Sequence, residues 1–341
     1  MPTESPLPDP APVLDLLEAF RRSQALFAAV SLGVFDRLSH GPAALADLAR
    51  DLHTDPDALS RLLNACVNLR LLTHGDDGYA NSPAAMAYLV SDSPRRLTGY
   101  IRYSGAVLWK LWDHLDDAVR EGTHRWPQAF GLEGPIFDHF FRTDRDKREF
   151  LMGMNGLGLL SSPAVAAAFD LGRFRRLVDL GGATGHLAVA VCRRWPGLHA
   201  VVFDLAPVMP MAREMVGATE VADRVEVVAG DFFADPLPEA DLFAVGRILH
   251  DWSEDKVRVL LRKVYERLPQ GGGLLVVEKL LDDDKSGPSI AVFQSLNMLV
   301  CTEGTERTLG EYETLLKSAG FSRVEAWRTG GPLDGMLALK E

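Results

Sequence analysis

One histidine follows a predicted strand and has an acid beside it. Residues 246–252 read GRILHDW after an apolar run, so a strand is predicted to end close to His250. Imidazole changes its charge near neutral pH, which makes a histidine at such a position a candidate general base. Two further acids could fix the tautomer of the His250 ring and favour its protonated form. They are Glu278, at the end of the next predicted strand, and Glu306, in the segment 305–308. Taken singly, Glu278 also fits a surface acid and Glu306 a partner of Arg307.

A glycine-rich segment follows an earlier predicted strand. Residues 179–185 read DLGGATG and lead into a predicted helix, whose first N–H groups can bind a polar or anionic ligand. A dinucleotide loop needs G-x-G-x-x-G and a P-loop needs G-K-[ST]; the segment has Ala183 in place of a glycine, and no G-K-[ST] occurs. The spacing instead resembles the S-adenosylmethionine loop of class I methyltransferases, with Ala183 acceptable if its φ is negative.

Acids also end the next two predicted strands. Asp204 is placed to accept the two hydroxyls of a ribose, Asp231 to accept an adenine amino group, and Phe232 to cover a base. Ligands of open α/β sheets bind beyond the carboxyl ends of the strands, so these residues are expected at one site. Any one of the acids could simply be solvated, but the set favours a cofactor that carries a nucleoside.

These groups require a sheet to position them. Helical periodicity fills residues 13–165, whereas apolar runs of four to six residues alternate with helices in residues 166–341. We therefore predict an α/β fold, a Rossmann-like doubly wound sheet preceded by an all-helical domain. Strands are predicted at residues 177–180, 200–203, 225–228, 242–245, 274–277, 323–327 and 336–339. Helices of this part are predicted at residues 187–195, 208–216, 254–268, 291–300 and 308–319.

The helical part contains a pattern typical of a winged helix. Predicted helices at 44–52 and 58–69 precede a small hairpin at 71–81. A winged helix ordinarily suggests DNA, but the first 100 residues hold eight arginines, no lysine and twelve acids, a net charge of −4. A packing or dimerisation module is therefore favoured. The candidate interface residues, each of which also fits a core position, are Leu16, Phe20, Phe27 and Phe35.

Composition excludes several classes of function. The 341 residues carry a net charge of −11, which disfavours nucleic acid and anionic membrane surfaces as partners. The three cysteines are far apart, so we expect neither a metal knuckle nor a disulfide framework, and a reducing, cytoplasmic location. No apolar stretch was expected to reach the ~20 residues of a membrane span. The start, MPTESPLPDPAP, is predicted to be a disordered leader.

Several segments resemble the small-molecule O-methyltransferase family of the caffeic acid and acetylserotonin type, and most of all its hydroxyindole-methylating branch. They extend from about Phe20 to Lys340. The resemblance implies a homodimer held by the N-terminal helices, S-adenosyl-L-methionine bound to the C-terminal domain, and metal-free methylation of an aromatic hydroxyl. The segments are DLGGATG, VFDLAPV, GDFFADPLPEADLF, RILHDWSEDK, LPQGGGLLVVEKLLDDD, SLNMLVCTEGTERT and LLKSAGF.

The resemblance also implies roles for single residues. It makes His250 the base and Glu278 and Glu306 the acids beside it, with no metal ligand. Cofactor positions are matched by Gly181, Asp204, Gly230, Asp231, Phe232 and Arg247. The substrate-binding candidates are Asp251, Asn297, Met154, Trp252 and Cys301. The bulky residues expected to line the pocket, all of which also fit a core, are Trp109, Trp112, Phe137, Phe140, Phe141, Met152, Met154, Trp252 and Met298.

Departures from the hydroxyindole branch concern the acceptor. Cys301 stands where that branch carries Gln, which removes a hydrogen bond to an acetamide side chain. Phe141 and Gly158 stand where the animal enzyme carries Tyr and Trp. The acceptor is thus predicted as a phenol or a hydroxyindole, of which N-acetylserotonin is one candidate.

Two other functions stay open at this point. A fold that binds S-adenosylmethionine could carry out decarboxylation or hydroxylation, although intact His250, Glu278 and Glu306 argue against it. A winged-helix regulator that senses a metabolite would bind DNA in a salt-sensitive way. The remaining histidines are expected to be structural or exposed: His40, His53, His74, His114, His124, His139, His186 and His199.

Overall fold

The computed structural model describes residues 8–134, 139 and 143–341. The chain forms two compact units, Met1–Gly105 and Ala106–Glu341. The long helix that ends at Ala168 packs on the helices and strands that follow it.

The first unit is helical apart from one hairpin. Helices α3 (Leu45–Asp51) and α4 (Pro56–Asn68) and the hairpin of β1 (Leu72–Gly75) and β2 (Gly78–Asn81) follow the predicted order, and the two strands are antiparallel. Asp55 begins α4, since its carboxylate accepts a hydrogen bond from Ala58 N at 2.8 Å. The elements are α1 Ala11–Ser31, α2 Val34–Leu38, α3 Leu45–Asp51, α4 Pro56–Asn68, β1 Leu72–Gly75, β2 Gly78–Asn81, α5 Pro83–Tyr88 and α6 Thr98–Tyr103.

The predicted interface residues divide between the surface and the core of this unit. Leu16 and Phe20 on α1 are 71% and 51% exposed. Phe35 is 1% exposed and Phe27 packs against the same core. Phe35 therefore takes the core position that the sequence left open, because α2 turns its ring inward among the apolar side chains of this unit.

The second unit continues with helices and then a seven-stranded sheet. A π-helical turn, Ser104–Leu108, links the units. The helices are α7 Trp109–Trp112, α8 Leu115–Glu121, α9 Trp126–Phe130, α10 Asp144–Ala168, α11 His186–Arg194, α12 Met209–Gly217, α13 Glu254–Arg267, α14 Ser289–Cys301 and α15 Leu309–Ala319. The strands are β3 Arg176–Leu180, β4 His199–Asp204, β5 Val225–Ala229, β6 Leu242–Gly246, β7 Gly273–Glu278, β8 Arg323–Trp327 and β9 Asp334–Leu339.

The strand order is β5-β4-β3-β6-β7-β9-β8. β3 to β7 are parallel, and β9 pairs antiparallel with both β7 and β8. The order reverses between β3 and β6, and in doubly wound sheets such a switch point opens a crevice at the carboxyl ends of the strands. The predicted α/β fold and all seven predicted strands are confirmed.

Apolar side chains pack on both faces of the sheet. Leu177 of β3 belongs to the core under α10, α11 and α12, whereas its neighbour Val178 belongs to the core under α13 and α15. Packing on both faces therefore fixes the positions of the strands and of the residues that follow their carboxyl ends.

Helix α10 is long and apolar enough to cross a membrane, a feature the sequence reading missed. More than half of its apolar stretch is buried, and Leu151, Val165 and Ala166 are at most 1% exposed. These contacts make α10 a core helix of the second unit.

Candidate active site

The glycine loop fills the switch point between β3 and β6. Gly181 has φ +67°, donates its N–H to Phe203 O at 2.8 Å, and a Cβ there would lie 2.4 Å from Ile248 Cδ1. The positive φ favours glycine, and a Cβ here would displace the Ile248 side chain. Gly185 precedes α11, whose first turn has no side-chain cap. Asp179 accepts a hydrogen bond from Ala188 N, so the N–H groups of the first two residues of α11 are the ones available to a ligand.

Ala183 does not have the negative φ that was predicted for a non-glycine residue in this loop. Its φ is +49°, not negative, so a non-glycine residue occupies the left-handed region within the loop. The conformation is held by Asp204, whose Oδ2 accepts a hydrogen bond from Ala183 N at 2.8 Å. Backbone strain of this kind persists where surrounding contacts enforce it, and it is concentrated at functional sites.

Two acids lie at this loop, Asp179, which is buried, and Asp204, which is half-buried. Asp204 Oδ1 also accepts from Leu205 N at 2.7 Å, so both of its oxygens are engaged while further lone pairs stay free. Burial raises the pKa of Asp204 to about 6. Burial, and then the charge of Asp204, raise the pKa of Asp179 to about 7. A cationic ligand beside them would be favoured, because it would stabilise both carboxylates.

Asp231 and Phe232 lie where the turn after β5 meets the loop. Asp231 Oδ1 accepts from Phe233 N at 2.7 Å and shapes this turn. Phe232 Cε1 lies 3.5 Å from the position of a Cβ on Gly181, so its ring borders the crevice. A Cβ on Gly230 would lie 2.2 Å from the Phe203 ring, which requires glycine at this position.

Arg247 supplies a cation to the same crevice. It follows β6 with φ +56°, and its N–H donates to Val277 O at 2.9 Å. Its buried Nε has no hydrogen-bond partner within the described residues. A buried donor of this kind is costly unless a ligand pairs with it. A carboxylate-bearing ligand would satisfy Arg247.

Helix α10 contributes contacts to the loop that sequence reasoning missed. Thr184 Oγ1 donates to Asn155 Oδ1 at 2.9 Å, and Ser162 Oγ is hydrogen-bonded to His186 Nδ1 at 2.9 Å. The His186 ring lies flat on Gly158, where a Cβ would come within 2.4 Å of it. The only sequence signal was a row of small and polar residues within an apolar helix.

His186 stays uncharged at the edge of the crevice. Burial, and then the nearby Arg247 guanidinium, lower the pKa of His186 to about 4. Its interpretation as a merely structural histidine is therefore incomplete, since it borders the predicted cofactor loop.

The predicted base and its acids meet in the interior. His250 is 3% exposed and lies in the 3₁₀ turn Leu249–Asp251 after β6. Its Nδ1 donates to Glu306 Oε1 at 2.6 Å and lies 3.5 Å from Glu278 Oε2. Its Nε2 is 3.7 Å from Asp251 Oδ1. Glu306 thus fixes the ring and leaves Nε2 as the atom that can accept a proton.

Glu278 orders the turn that carries this ring. Its Oε1 accepts from Ile248 N at 3.1 Å and from Leu249 N at 2.9 Å. Oε2 of Glu278 and Oε2 of Glu306 have no hydrogen-bond partner in the part of the chain that is described. Glu278 is fully buried, and this burial raises the pKa of its carboxyl group.

The surrounding charge decides the proton affinity of His250. Burial alone would lower its pKa, but the combined fields of Glu278, Glu306 and Asp251 outweigh burial and raise the pKa of His250 to about 9. The imidazole is therefore mostly protonated at neutral pH in the protein alone. It becomes a strong base once its Nε2 proton has left.

The three buried groups also resemble a set of metal ligands. Ligand atoms of His250, Glu278 and Glu306 lie within 4.8 Å of one another. Two ligands of one tetrahedral zinc ion, each ~2.0–2.1 Å from the metal, are roughly 3.3 Å apart. The 2.6 Å between His250 Nδ1 and Glu306 Oε1 is shorter than this and fits a direct hydrogen bond.

Three predicted substrate residues lie near one another. Asn297 Oδ1 accepts from Trp112 Nε1 at 2.9 Å and lies 3.6 Å from Cys301 Sγ. Burial, and then the charge of Asp251, raise the pKa of the Cys301 thiol. These contacts connect α7 and α14 with the turn that carries His250.

Met154 and Trp252 are placed differently. Met154 is half-buried on α10. The Trp252 ring meets Phe233 edge-on at 5.0 Å and lies 4.7 Å from Lys256 Nζ. Among the other predicted lining residues, Met152 and Met298 are buried. Phe137, Phe140 and Phe141 lie outside the described residues.

The comparisons with known proteins agree with this geometry. Residues 14–91 match the O-methyltransferase dimerisation domain, and residues 112–322 match the O-methyltransferase domain. Bovine (Bos taurus) acetylserotonin O-methyltransferase is 43% identical, over 94% of this chain and 95% of its own. Human N-acetylserotonin methyltransferase in complex with SAM has a TM-score of 0.93 at 37% identity, over 99% of each chain. PigF with SAH has a TM-score of 0.88 at 28% identity, over 98% of this chain and 100% of that one.

Proposed function

This chain belongs to the O-methyltransferase family, and we propose that it moves the methyl group of S-adenosyl-L-methionine to the hydroxyl of a small aromatic acceptor. The observation that carries this proposal is the buried His250–Glu306 hydrogen bond of 2.6 Å at the carboxyl edge of the sheet. An imidazole held in this way at the edge of the cofactor crevice fits deprotonation of an acceptor hydroxyl.

The residues of the crevice fit the cofactor. We assign the cofactor site to Gly181, Asp204, Gly230, Asp231, Phe232 and Arg247. The unpaired Nε of Arg247 and the uncapped start of α11 suit its carboxylate, whereas Asp204 suits its ribose hydroxyls. When bound, S-adenosyl-L-methionine supplies a methyl group on a positively charged sulfur. The raised pKa values of Asp179 and Asp204 mean that this positive charge is favoured nearby.

His250 removes the proton of the acceptor. Nε2 would take the hydroxyl proton as the acceptor oxygen receives the methyl group that bound S-adenosyl-L-methionine would supply. Glu306 holds the Nδ1–H, and the charges of Glu278 and Glu306 stabilise the imidazolium that results. We assign these three residues as the catalytic set, and no metal takes part.

The raised pKa of the base narrows the proton-transfer gap. A phenol with a pKa of ~10 and an ordinary imidazole of ~6.5 differ by ~3.5 units, or ~5 kcal/mol. With the pKa of His250 at about 9 the difference falls to roughly one unit, or ~1.4 kcal/mol. Proton transfer can then accompany methyl transfer instead of opposing it.

The acceptor is proposed as a phenol or a hydroxyindole. Asp251, Asn297 and Cys301 border the base, and we assign them to the acceptor together with Met154 and Trp252. N-acetylserotonin is one candidate, because bovine acetylserotonin O-methyltransferase is similar over nearly the whole chain. Cys301 is a weaker hydrogen-bonding group than an amide, so we expect tolerance of acceptors that lack an acetamide.

We further propose the state and location of the protein. Residues 13–165 would form the winged-helix dimerisation and substrate-lid part, and residues 166–341 the part that binds the cofactor. The exposed apolar face of α1, with Leu16 and Phe20, would be covered in a homodimer. A cytoplasmic location is consistent with three free cysteines.

The proposal is tested with purified protein and methyl-labelled S-adenosyl-L-methionine. Phenols, hydroxyindoles including N-acetylserotonin, and their O-methylated forms as blocked controls are assayed with and without EDTA. We expect label on the free hydroxyl of at least one acceptor, no label on its blocked form, and equal rates with EDTA. Label on carbon or nitrogen, or loss of carbon dioxide from the acceptor, would contradict the proposal.

A further inference from the structure

Arg307 connects the backbone that carries the base with the backbone that carries its acid. Its Nη1 donates to Leu249 O at 2.9 Å and to Thr305 O at 3.3 Å, and its Nη2 donates to Trp252 O at 3.4 Å. Leu249 and Trp252 stand on either side of the pair that contains His250, and Thr305 lies in the segment that supplies the carboxylate. One guanidinium therefore bridges both segments.

The charge of Arg307 is directed to these carbonyl groups. The residue is 5% exposed and lies over the Tyr312 ring at 5.8 Å. Within the described residues no carboxylate comes within ion-pair distance of it. A buried cation is costly unless its donors are satisfied, and here backbone carbonyls satisfy them. The fork of an arginine can reach several acceptors at fixed angles, which a lysine cannot.

The neighbouring backbone is packed as closely as glycine allows. A Cβ on Gly304 would lie 2.1 Å from His250 O, so the two segments touch at that point. On the other side, Leu281 N donates to Arg307 O at 3.0 Å, and Leu281 and Thr308 form an isolated parallel bridge. The segment 304–308 thus lies between the turn of the base and the continuation of β7, the strand that ends in Glu278.

We propose that Arg307 is a positioning residue for methyl transfer, which holds the Leu249–Trp252 turn against residues 304–306 so that Glu306 stays on Nδ1 of His250. The inference rests on the function proposed above. Without this clamp the ring and the carboxylate separate, and Nε2 leaves the line of the acceptor hydroxyl. The cofactor crevice is built from other residues, so its affinity is unaffected.

The test uses Arg307→Met and Arg307→Lys in the full chain. We expect kcat to fall ~100-fold in Arg307→Met, the size of effect that a 1 Å misplacement produces, and ~10-fold in Arg307→Lys. The dissociation constant of S-adenosylhomocysteine stays at its wild-type value. The matched control is Arg224→Met, because Arg224 Nη1 also donates to two carbonyls, of Leu198 at 3.1 Å and Trp195 at 3.4 Å, away from the turn. Its kcat is expected to stay at the wild-type value.

A second readout does not depend on turnover. In the proton NMR spectrum of histidine-labelled protein, the proton in the short hydrogen bond from His250 Nδ1 to Glu306 should give a far-downfield signal. This signal should move upfield or be lost in Arg307→Met and stay in Arg224→Met. An unchanged signal and an unchanged kcat in folded Arg307→Met would overturn the inference, as would loss of folding in both Arg307 variants. Absence of methyl transfer by the wild type would contradict the proposed function, while the signal would still decide the role of Arg307.

Discussion

At the scale of single residues, His250 combines burial with a pKa raised to about 9. Three nearby acids raise the pKa of His250, whereas burial alone would lower it. Only the neutral imidazole can take the proton of the substrate hydroxyl. The fraction of neutral ring therefore grows as the pH rises toward 9. At pH values below the pKa of His250, this neutral fraction limits the activity.

We accordingly expect kcat/KM to rise tenfold per pH unit from neutral pH and to level off near the pKa of the base, about 9. Glu306→Gln removes one negative charge and so lowers the pKa of His250, which should move the rise of kcat/KM to lower pH. The plateau value should also be lower, because the ring is held less firmly. The measurement is kcat/KM against pH for both proteins, with Glu303→Gln as the control on the same segment. A limb at the same pH in Glu306→Gln would contradict the electrostatic account.

Asp204 permits a second prediction at this scale. Its pKa is raised to about 6, and the ionised form binds ribose hydroxyls and the cationic cofactor, so affinity should fall as the pH drops below 6. Asp204→Asn should weaken binding at pH 7 by about 2 kcal/mol, within the range for hydrogen bonds to charged groups, and should bind with little dependence on pH between 5 and 7. Calorimetric titration with S-adenosylhomocysteine measures both. The same slope in Asp204→Asn would assign the titration to Asp179 and contradict this prediction.

At the scale of elements, the strand ends explain why much of the site could be predicted. Asp204, Arg247 and Glu278 stand at or just after the ends of β4, β6 and β7, and parallel strands bring such ends to one edge. The predicted helices agree with the observed ones to within a residue or two for the same reason, since apolar periodicity follows the two packed faces of the sheet.

What could not be predicted depends on contacts between distant segments. The φ of Ala183 is held by the hydrogen bond that its N–H donates to Asp204, and the place of His186 is set by Gly158 and Ser162 of α10. No local pattern of residues encodes such pairs. The contacts of Arg307 could not be predicted for the same reason, because its partners Leu249 and Trp252 are more than 50 residues away in the sequence.

The contact between α10 and α11 gives the element-scale prediction. A methyl group at Gly158 would lie 2.4 Å from the His186 ring, so Gly158→Ala must displace this ring, which borders the cofactor loop. We expect a loss of about 1–3 kcal/mol in the free energy of unfolding. Cofactor affinity should fall as well, whereas Gly197→Ala, where a Cβ meets nothing within 4 Å, serves as the control. Chemical denaturation and titration with S-adenosylhomocysteine measure the two effects, and unchanged cofactor affinity would separate His186 from the site.

At the scale of the whole molecule, residues 14–91 match the O-methyltransferase dimerisation domain and residues 112–322 match the O-methyltransferase domain. The family, the fold and the cofactor predicted from the sequence are confirmed. The net charge of −11 disfavours binding to phosphate polymers.

The proposed homodimer leads to the prediction at this scale. Helix α1 exposes Val13, Leu16, Leu17 and Phe20 by at least 51%, an apolar face that a partner subunit would cover. Phe20→Glu should shift the protein to monomer at micromolar concentration, as read by light scattering after size exclusion. Val259→Glu, on α13 and 59% exposed, is the matched control and should stay dimeric. A monomeric wild type, or a Phe20→Glu protein that remains a dimer, would contradict this interface.

The central claim is that His250 removes the acceptor's proton. The most direct measurement is the single-turnover rate of methyl transfer by His250→Ala with cofactor bound, beside His199→Ala, which removes an exposed histidine at the start of β4. The account predicts a rate lowered ~10²–10⁴-fold in His250→Ala, an unchanged rate in His199→Ala, and equal affinity of both for S-adenosylhomocysteine. A wild-type rate in His250→Ala would contradict it.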